Sequence, residues 1–129
     1  MKIEHIAIWT KNLEEMKKFY EKYFNGRSGE RYENSKNKYS SYFIEFENGA
    51  RLELMQMDTI PANLNSKESQ YRGIIHIAFS TGSEDGVNSL TEKIKKDGYI
   101  VAGEPRRTGD GYYESVIFDP EGNRIEITV

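Results

Sequence analysis

The chain holds two histidines and no cysteine, and both histidines stand in one repeated phrase, "EHIAI" at residues 4–8 and "IHIAF" at residues 75–79. Two glutamates repeat in the same manner. "NGARLEL" over 48–54 matches "EGNRIEI" over 121–127, which sets Glu53 on Glu126 and Arg51 on Arg124. The histidines, His5 and His76, match at an offset of 71 and the glutamates at 73. Without thiolates, imidazole and carboxylate are the side chains left to bind a metal, and two of each balance the charge of a divalent cation. Such a set suits Ni, Co, Fe, Mn or Zn and leaves two positions of an octahedron for water or substrate.

The elements around these residues decide where they point. "KIEHIAIW" (2–9) reads as a strand with Ile6 and Ile8 on one face and His5, Ala7 and Trp9 on the other. A helix follows, with Asn12 as N-cap, Glu15 as its capping-box partner, and Leu13, Met16, Phe19, Tyr20, Tyr23 and Phe24 at helical spacing up to Asn25-Gly26. A weak strand near 30–35 precedes "YSSYFIEF" and "ARLELMQM", a hairpin turning through Glu47, Asn48 and Gly49. After a polar stretch at 58–72 the pattern restarts: "GIIHIAFS", a helix over 84–97 with Val87, Leu90 and Ile94 on one face and Gly98 past its end, then "YIVAG". "YYESVIF" and "NRIEITV" form a last hairpin through Asp119, Pro120, Glu121 and Gly122. Each half is therefore strand, helix, three strands, and such a repeat predicts two similar modules. Leu52, Leu54, Ile125 and Ile127 face the helices, so Glu53, Glu126 and both histidines project from the opposite faces. The alternative is that these four residues repeat for packing.

The division expected is a first module over 1–57, a linker or lid over 58–72 and a second module over 73–129, together one domain of 129 residues. A net charge of -3 gives no general attraction to nucleic acid or anionic lipid. The N-terminus lacks a signal-peptide apolar run and no stretch is long enough to span a membrane, so a cytoplasmic protein acting on a small molecule is expected. No nucleophile elbow, phosphate-binding loop or dinucleotide fingerprint occurs. The stretch "EPRRTGDGYYES" (104–115) reads as a glycine-hinged loop in which Arg106 and Tyr113 are candidate substrate contacts of a lid, or as a solvated hairpin.

"HIAIWTKNLEEMKKFYEKYF" and "FDPEGNRIEI" resemble the opening strand and helix and the closing hairpin of the vicinal oxygen chelate superfamily, which includes glyoxalases, bleomycin-binding proteins and extradiol dioxygenases. The resemblance covers nearly the whole chain. It implies an α+β fold of two βαβββ modules forming a half-open, U-shaped mixed-sheet barrel with helices outside. His5, Glu53, His76 and Glu126 fall on the superfamily's metal positions, and the order His, Glu, His, Glu is similar to bacterial glyoxalase I of the nickel or cobalt type, a lactoylglutathione lyase.

The implied reaction is isomerisation of a thiol hemithioacetal of methylglyoxal to a lactoyl thioester, with Glu126 as main base, Glu53 as its partner and nickel or cobalt favoured over zinc, iron or manganese. A homodimer is implied as well. Where such glyoxalases grip glutathione, this chain carries Trp9 and Met57, which read instead as an apolar pocket wall or as packing residues. Other readings within the resemblance are a CoA-thioester epimerase, an antibiotic thiol transferase, or a metal-free drug-binding resistance protein.

Overall fold

Asn12 starts the first helix as the N-cap its sequence predicts: its side-chain Oδ1 accepts from the Glu15 backbone N–H at 3.2 Å and its side-chain Nδ2 donates to the Glu15 carboxylate at 3.0 Å, while its backbone N–H donates to Thr10 Oγ1 instead of closing the capping box. In the computed structural model, which describes all 129 residues, this helix, α1, spans Leu13–Phe24 and ends at Asn25, whose φ of 53° is the left-handed cap. Gly26 follows because a Cβ there would meet Ile44 Cγ2 at 2.6 Å. The strands of this half are β1 (His5–Trp9), β2 (Arg27–Ser28), β3 (Tyr32–Asn34), β4 (Tyr39–Glu45) and β5 (Arg51–Gln56). They form one mixed sheet in the order β1-β5-β4-β2, with β1 parallel to β5 and β3 also paired to β4.

The second half repeats this plan. Strands β6 (His76–Ser80), β7 (Val101–Arg107), β8 (Tyr113–Phe118) and β9 (Arg124–Thr128) run in the order β6-β9-β8-β7, with helix α2 at Glu84–Lys96. Ser83 caps that helix by accepting from the Gly86 N–H at 3.0 Å. The chain divides into two compact units, Met1–Ala62 and Asn63–Val129, and residues 57–75, which contain this division, hold neither helix nor strand.

Each unit places its core between helix and sheet. In the first, Leu13, Met16, Phe19, Tyr20 and Tyr23 are buried, as are Tyr42, Ile44, Leu52 and Leu54 of the sheet. In the second, Val87, Thr91 and Ile94 of the helix are buried with Val116, Ile117, Ile125 and Ile127 of the sheet. Burying one such apolar side chain contributes roughly 1.5–3 kcal/mol, so these faces fix which side of each sheet the remaining residues occupy.

Two details differ from expectation. The edge position that β7 holds in the second sheet is shared by β2 and β3 in the first, and β2 is too short for a periodic signal. The expected loop over 104–115 is only 108–112, because β7 runs on to Arg107 and β8 begins at Tyr113. Proline argues against a strand in sequence, but Pro105 lies in an edge strand whose register shifts between Gly103 and Arg106, where a missing N–H is tolerated.

Candidate metal-binding half-sites

Parallel pairing of β1 with β5 brings the ends of the first unit together: His5 lies opposite Arg51, and Ala7 opposite Glu53. His5 and Glu53 share the face away from α1, and His5 Nε2 stands 3.8 Å from Glu53 Oε2. Each partner is oriented from behind. The Glu4 carboxylate takes His5 Nδ1 and also pairs with Arg51, and these contacts hold Glu4 below the usual carboxylate range, the His5 hydrogen bond being the largest cause. The Tyr39 hydroxyl donates to Glu53 Oε1 at 3.0 Å, and burial first, then hydrogen bonding to Glu53, raises the Tyr39 pKa. Phe43 closes one side, edge-on to the imidazole at 5.4 Å between centroids.

The second unit repeats the frame. His76 lies opposite Arg124, Ala78 opposite Glu126, and His76 Nε2 faces Glu126 Oε2 at 3.3 Å. Ile75 stands where the first unit has Glu4, Tyr112 at the position of Tyr39 makes no hydrogen bond to Glu126, and Glu126 accepts none from any other side chain. Beside it stands a carboxylate that the repeat did not single out. Glu114 lies on the same face, two residues before Val116, which is directly opposite Glu126. Burial, reinforced by the Glu126 charge, raises the Glu114 pKa, while Arg106 at 3.6 Å opposes the shift. Strand alternation in "YESVIF" was the available signal for it, and for Tyr39 the parity shared with Phe43.

These pairs fit a divalent metal. Ligands roughly 2.0–2.2 Å from one ion at octahedral or tetrahedral angles lie about 3–3.5 Å apart, which the second pair meets and the first exceeds by a few tenths of an ångström. A carboxylate behind a ligating imidazole, as Glu4 is behind His5, is the usual means of fixing its tautomer and aim. The structure brings the four residues together as two pairs, and no group of three or more metal-binding side chains forms.

The other candidate residues fall in different settings. Trp9 projects from the same face of β1 as His5 at the strand's other end, 39% exposed and edge-on to Tyr39 at 6.1 Å. Met57 is half-buried just past β5. Arg106 stands beside Glu114, and the Tyr113 hydroxyl donates to Asn88 of α2 at 2.9 Å, so both belong to strand surface rather than to the loop.

The family model for the Glyoxalase/Bleomycin resistance protein/Dioxygenase superfamily matches residues 2–127. The chain belongs to this superfamily. Solved superfamily structures share its fold. A glyoxalase family protein from Enterococcus faecalis superposes with a TM-score of 0.80 at 20% identity, covering 99% of this chain and 97% of that one. Glyoxalase I from Zea mays gives 0.78 at 21% identity over 98% of this chain, which spans only 44% of the maize chain. The trypanothione-dependent glyoxalase I of Leishmania major gives 0.76 at 18%, with 99% and 86% covered. No curated protein sequence matches the chain. No helix is long and apolar enough to cross a membrane.

Proposed function

We propose that the protein is a metal-dependent lyase of the glyoxalase I kind, converting the hemithioacetal of methylglyoxal and a thiol to a lactoyl thioester. The observation that carries this reading is the duplicated His–Glu pair, with Nε2 facing Oε2 at 3.8 Å in one unit and 3.3 Å in the other. His5, Glu53, His76 and Glu126 supply the ligands for a divalent ion, nickel or cobalt above zinc, iron or manganese. When bound, the ion acts as a Lewis acid that polarises the substrate oxygens and acidifies the neighbouring C–H.

The protein's own part is proton transfer. Glu126 takes the proton from the hemithioacetal carbon and returns it to the adjacent carbonyl carbon while the hydroxyl proton passes to the former carbonyl oxygen, which moves the oxidation level one carbon along with no change in composition. Glu126 suits this role because its carboxylate has the facing His76 but no hydroxyl anchor, whereas Tyr39 holds Glu53 in place. Trp9 and Met57 supply an apolar wall for the thiol and Arg106 a further substrate contact, whereas Tyr113, whose hydroxyl is turned to Asn88 of α2, is left out of the site. A homodimer is the proposed assembly.

The aromatic run of exposed Trp9 and Tyr32 with half-buried Tyr39 favours a second reading, a metal-free protein that binds a flat ligand. Titrating the metal-stripped protein with Co²⁺ while following its visible spectrum separates the two, with His76→Ala as control. Saturable six-coordinate binding lost in the control supports the lyase and justifies assaying hemithioacetal, methylmalonyl-CoA and fosfomycin as substrates. No saturable binding removes the lyase in favour of the metal-free reading.

A further inference from the structure

An asparagine or aspartate followed by glycine carries a reaction of its own. The next backbone nitrogen can attack the side-chain carbonyl carbon, and glycine, with no Cβ, lets the chain reach the geometry this needs. The chain holds five such dipeptides: Asn25-Gly26, Asn48-Gly49, Asp85-Gly86, Asp97-Gly98 and Asp110-Gly111. The fold occupies the attacking nitrogen in four of them. The Gly26 N–H donates to the Tyr20 carbonyl at 3.2 Å, Gly86 to Ser83 Oγ at 3.0 Å, Gly98 to the Lys95 carbonyl at 3.1 Å and Gly111 to the Thr108 carbonyl at 3.0 Å. Gly26 is buried as well.

Asn48-Gly49 is the exception. It lies in the turn between β4 and β5, where Glu47, Asn48 and Gly49 are exposed and make no hydrogen bond through backbone or side chain. Gly49 sits at φ 91°, and nothing lies within 4 Å of where a side chain on it would stand, so the turn has room to rotate Asn48 onto the Gly49 nitrogen. The second unit closes its matching turn without this chemistry. Glu121 stands at the position of Asn48, and its longer side chain would have to close a larger ring, which is slower. Asp119 in the same turn accepts from the Glu121 and Asn123 N–H groups at 3.0 and 2.9 Å, and the residue after it is Pro120, which has no N–H to attack with.

We propose that Asn48 is a self-modifying site, at which the folded chain converts asparagine to aspartate and isoaspartate with water as the only co-reactant. The Gly49 nitrogen bonds to Asn48 Cγ, the Cγ–Nδ2 bond breaks, and ammonia leaves with the Gly49 proton as a succinimide ring closes. Water then opens the ring. Attack at Cγ restores the ordinary peptide link and gives aspartate, while attack at the backbone carbonyl leaves the chain running through the side chain and gives isoaspartate. Either product makes the net charge of -3 one unit more negative. Isoaspartate also adds a methylene to the backbone of the β4–β5 connection, while the matching turn of the second unit keeps its length. Neither metal nor substrate takes part, so the site is independent of the lyase reading.

The full chain is kept folded in warm neutral buffer, sampled over weeks and digested, and the five dipeptides are read by mass spectrometry with electron-transfer fragmentation, which tells isoaspartate from aspartate. A second portion is kept in urea. In the folded chain Asn48 is the first of the five to convert, gaining one mass unit and yielding both products, and Asn25 converts at least about tenfold more slowly. In urea Asn25 and Asn48 convert at similar rates, which assigns the difference to the fold rather than to the dipeptide. Anion exchange resolves a more acidic form that grows with time, and Asn48→Glu, which copies Glu121, abolishes that growth. Equal rates at Asn25 and Asn48 in the folded chain overturn the proposal, as does an Asn48 that stays intact while the same residue converts in urea.

Discussion

The two units keep one frame and surround it differently. In both, a histidine on the first strand faces a glutamate on the last, and an arginine two residues before that glutamate lies over an aromatic ring: Arg51 over Phe43 at 4.2 Å, Arg124 over Phe118 at 5.1 Å. Around the frame the first unit sets Trp9, Tyr39 and Phe43, while the second sets Ser80, Tyr112 and Val116 at the matching positions, with Glu114 where the first has Ser41. On the proposed lyase reading, the difference is a division of labour. The first glutamate is anchored by a tyrosine and walled by aromatics, as a fixed ligand and binding surface should be. The second faces His76 but has no hydroxyl anchor and stands near another carboxylate, which on that reading suits a proton carrier.

The largest test of that division exchanges the glutamates. Glu126→Gln is expected to lower turnover by roughly 10²–10⁴-fold while Co²⁺ still binds, the scale of losing a general base. Glu53→Gln is expected to act chiefly on metal affinity. Equal losses of turnover at unchanged affinity would erase the distinction between the units. Removing the anchor alone is a finer cut: Tyr39→Phe should weaken Co²⁺ binding about 10–100-fold, the usual effect of losing a residue that orients a ligand, whereas Tyr112→Phe at the matching position of the second unit should change nothing.

The cores differ as the faces do. Phe19, Tyr20 and Tyr23 fill the first, while the second contains a buried hydroxyl pair, with Thr91 donating to the Val87 carbonyl and lying 2.6 Å from Ser115 Oγ. Thr91→Val strands the Ser115 hydroxyl and should cost about 1–3 kcal/mol in denaturant unfolding, and the double variant with Ser115→Ala should recover most of it.

The smallest effect belongs to Glu114. A carboxyl raised by burial is favoured in its protonated form when folded, so its ionisation destabilises the metal-free chain. The penalty is absent below the ordinary carboxylate range and complete once the pH has passed the folded value. Glu114→Gln should therefore melt higher than the parent near pH 7 and equally near pH 3, with loss of the Arg106 pair offsetting part of the gain.

Much of this was legible in the sequence because it is written as period and repetition. The N-cap at Asn12, the Asn-Gly end of α1, the apolar faces of both helices and the alternation that turns His5 and Glu53 away from α1 all appear in the structure. What escaped depends on contacts between residues distant in sequence. Thr91 reads as a polar helix position until Ser115 is opposite it, and Tyr39 reads as a strand aromatic until the hairpin folds it onto Glu53. "EPRR" reads as loop because composition cannot show that its strand lies on an edge, where proline is tolerated.

Parallel pairing of the first strand with the last has a consequence for synthesis. His5 and His76 each emerge well before their glutamates, and neither can be locked in place until β5 or β9 has been made and has docked beside it. A nascent chain therefore displays isolated imidazoles first and chelating pairs only on completing each unit. On the proposed metal-dependent reading, capture of an ion by either half would record that the unit has been translated to its final strand and folded.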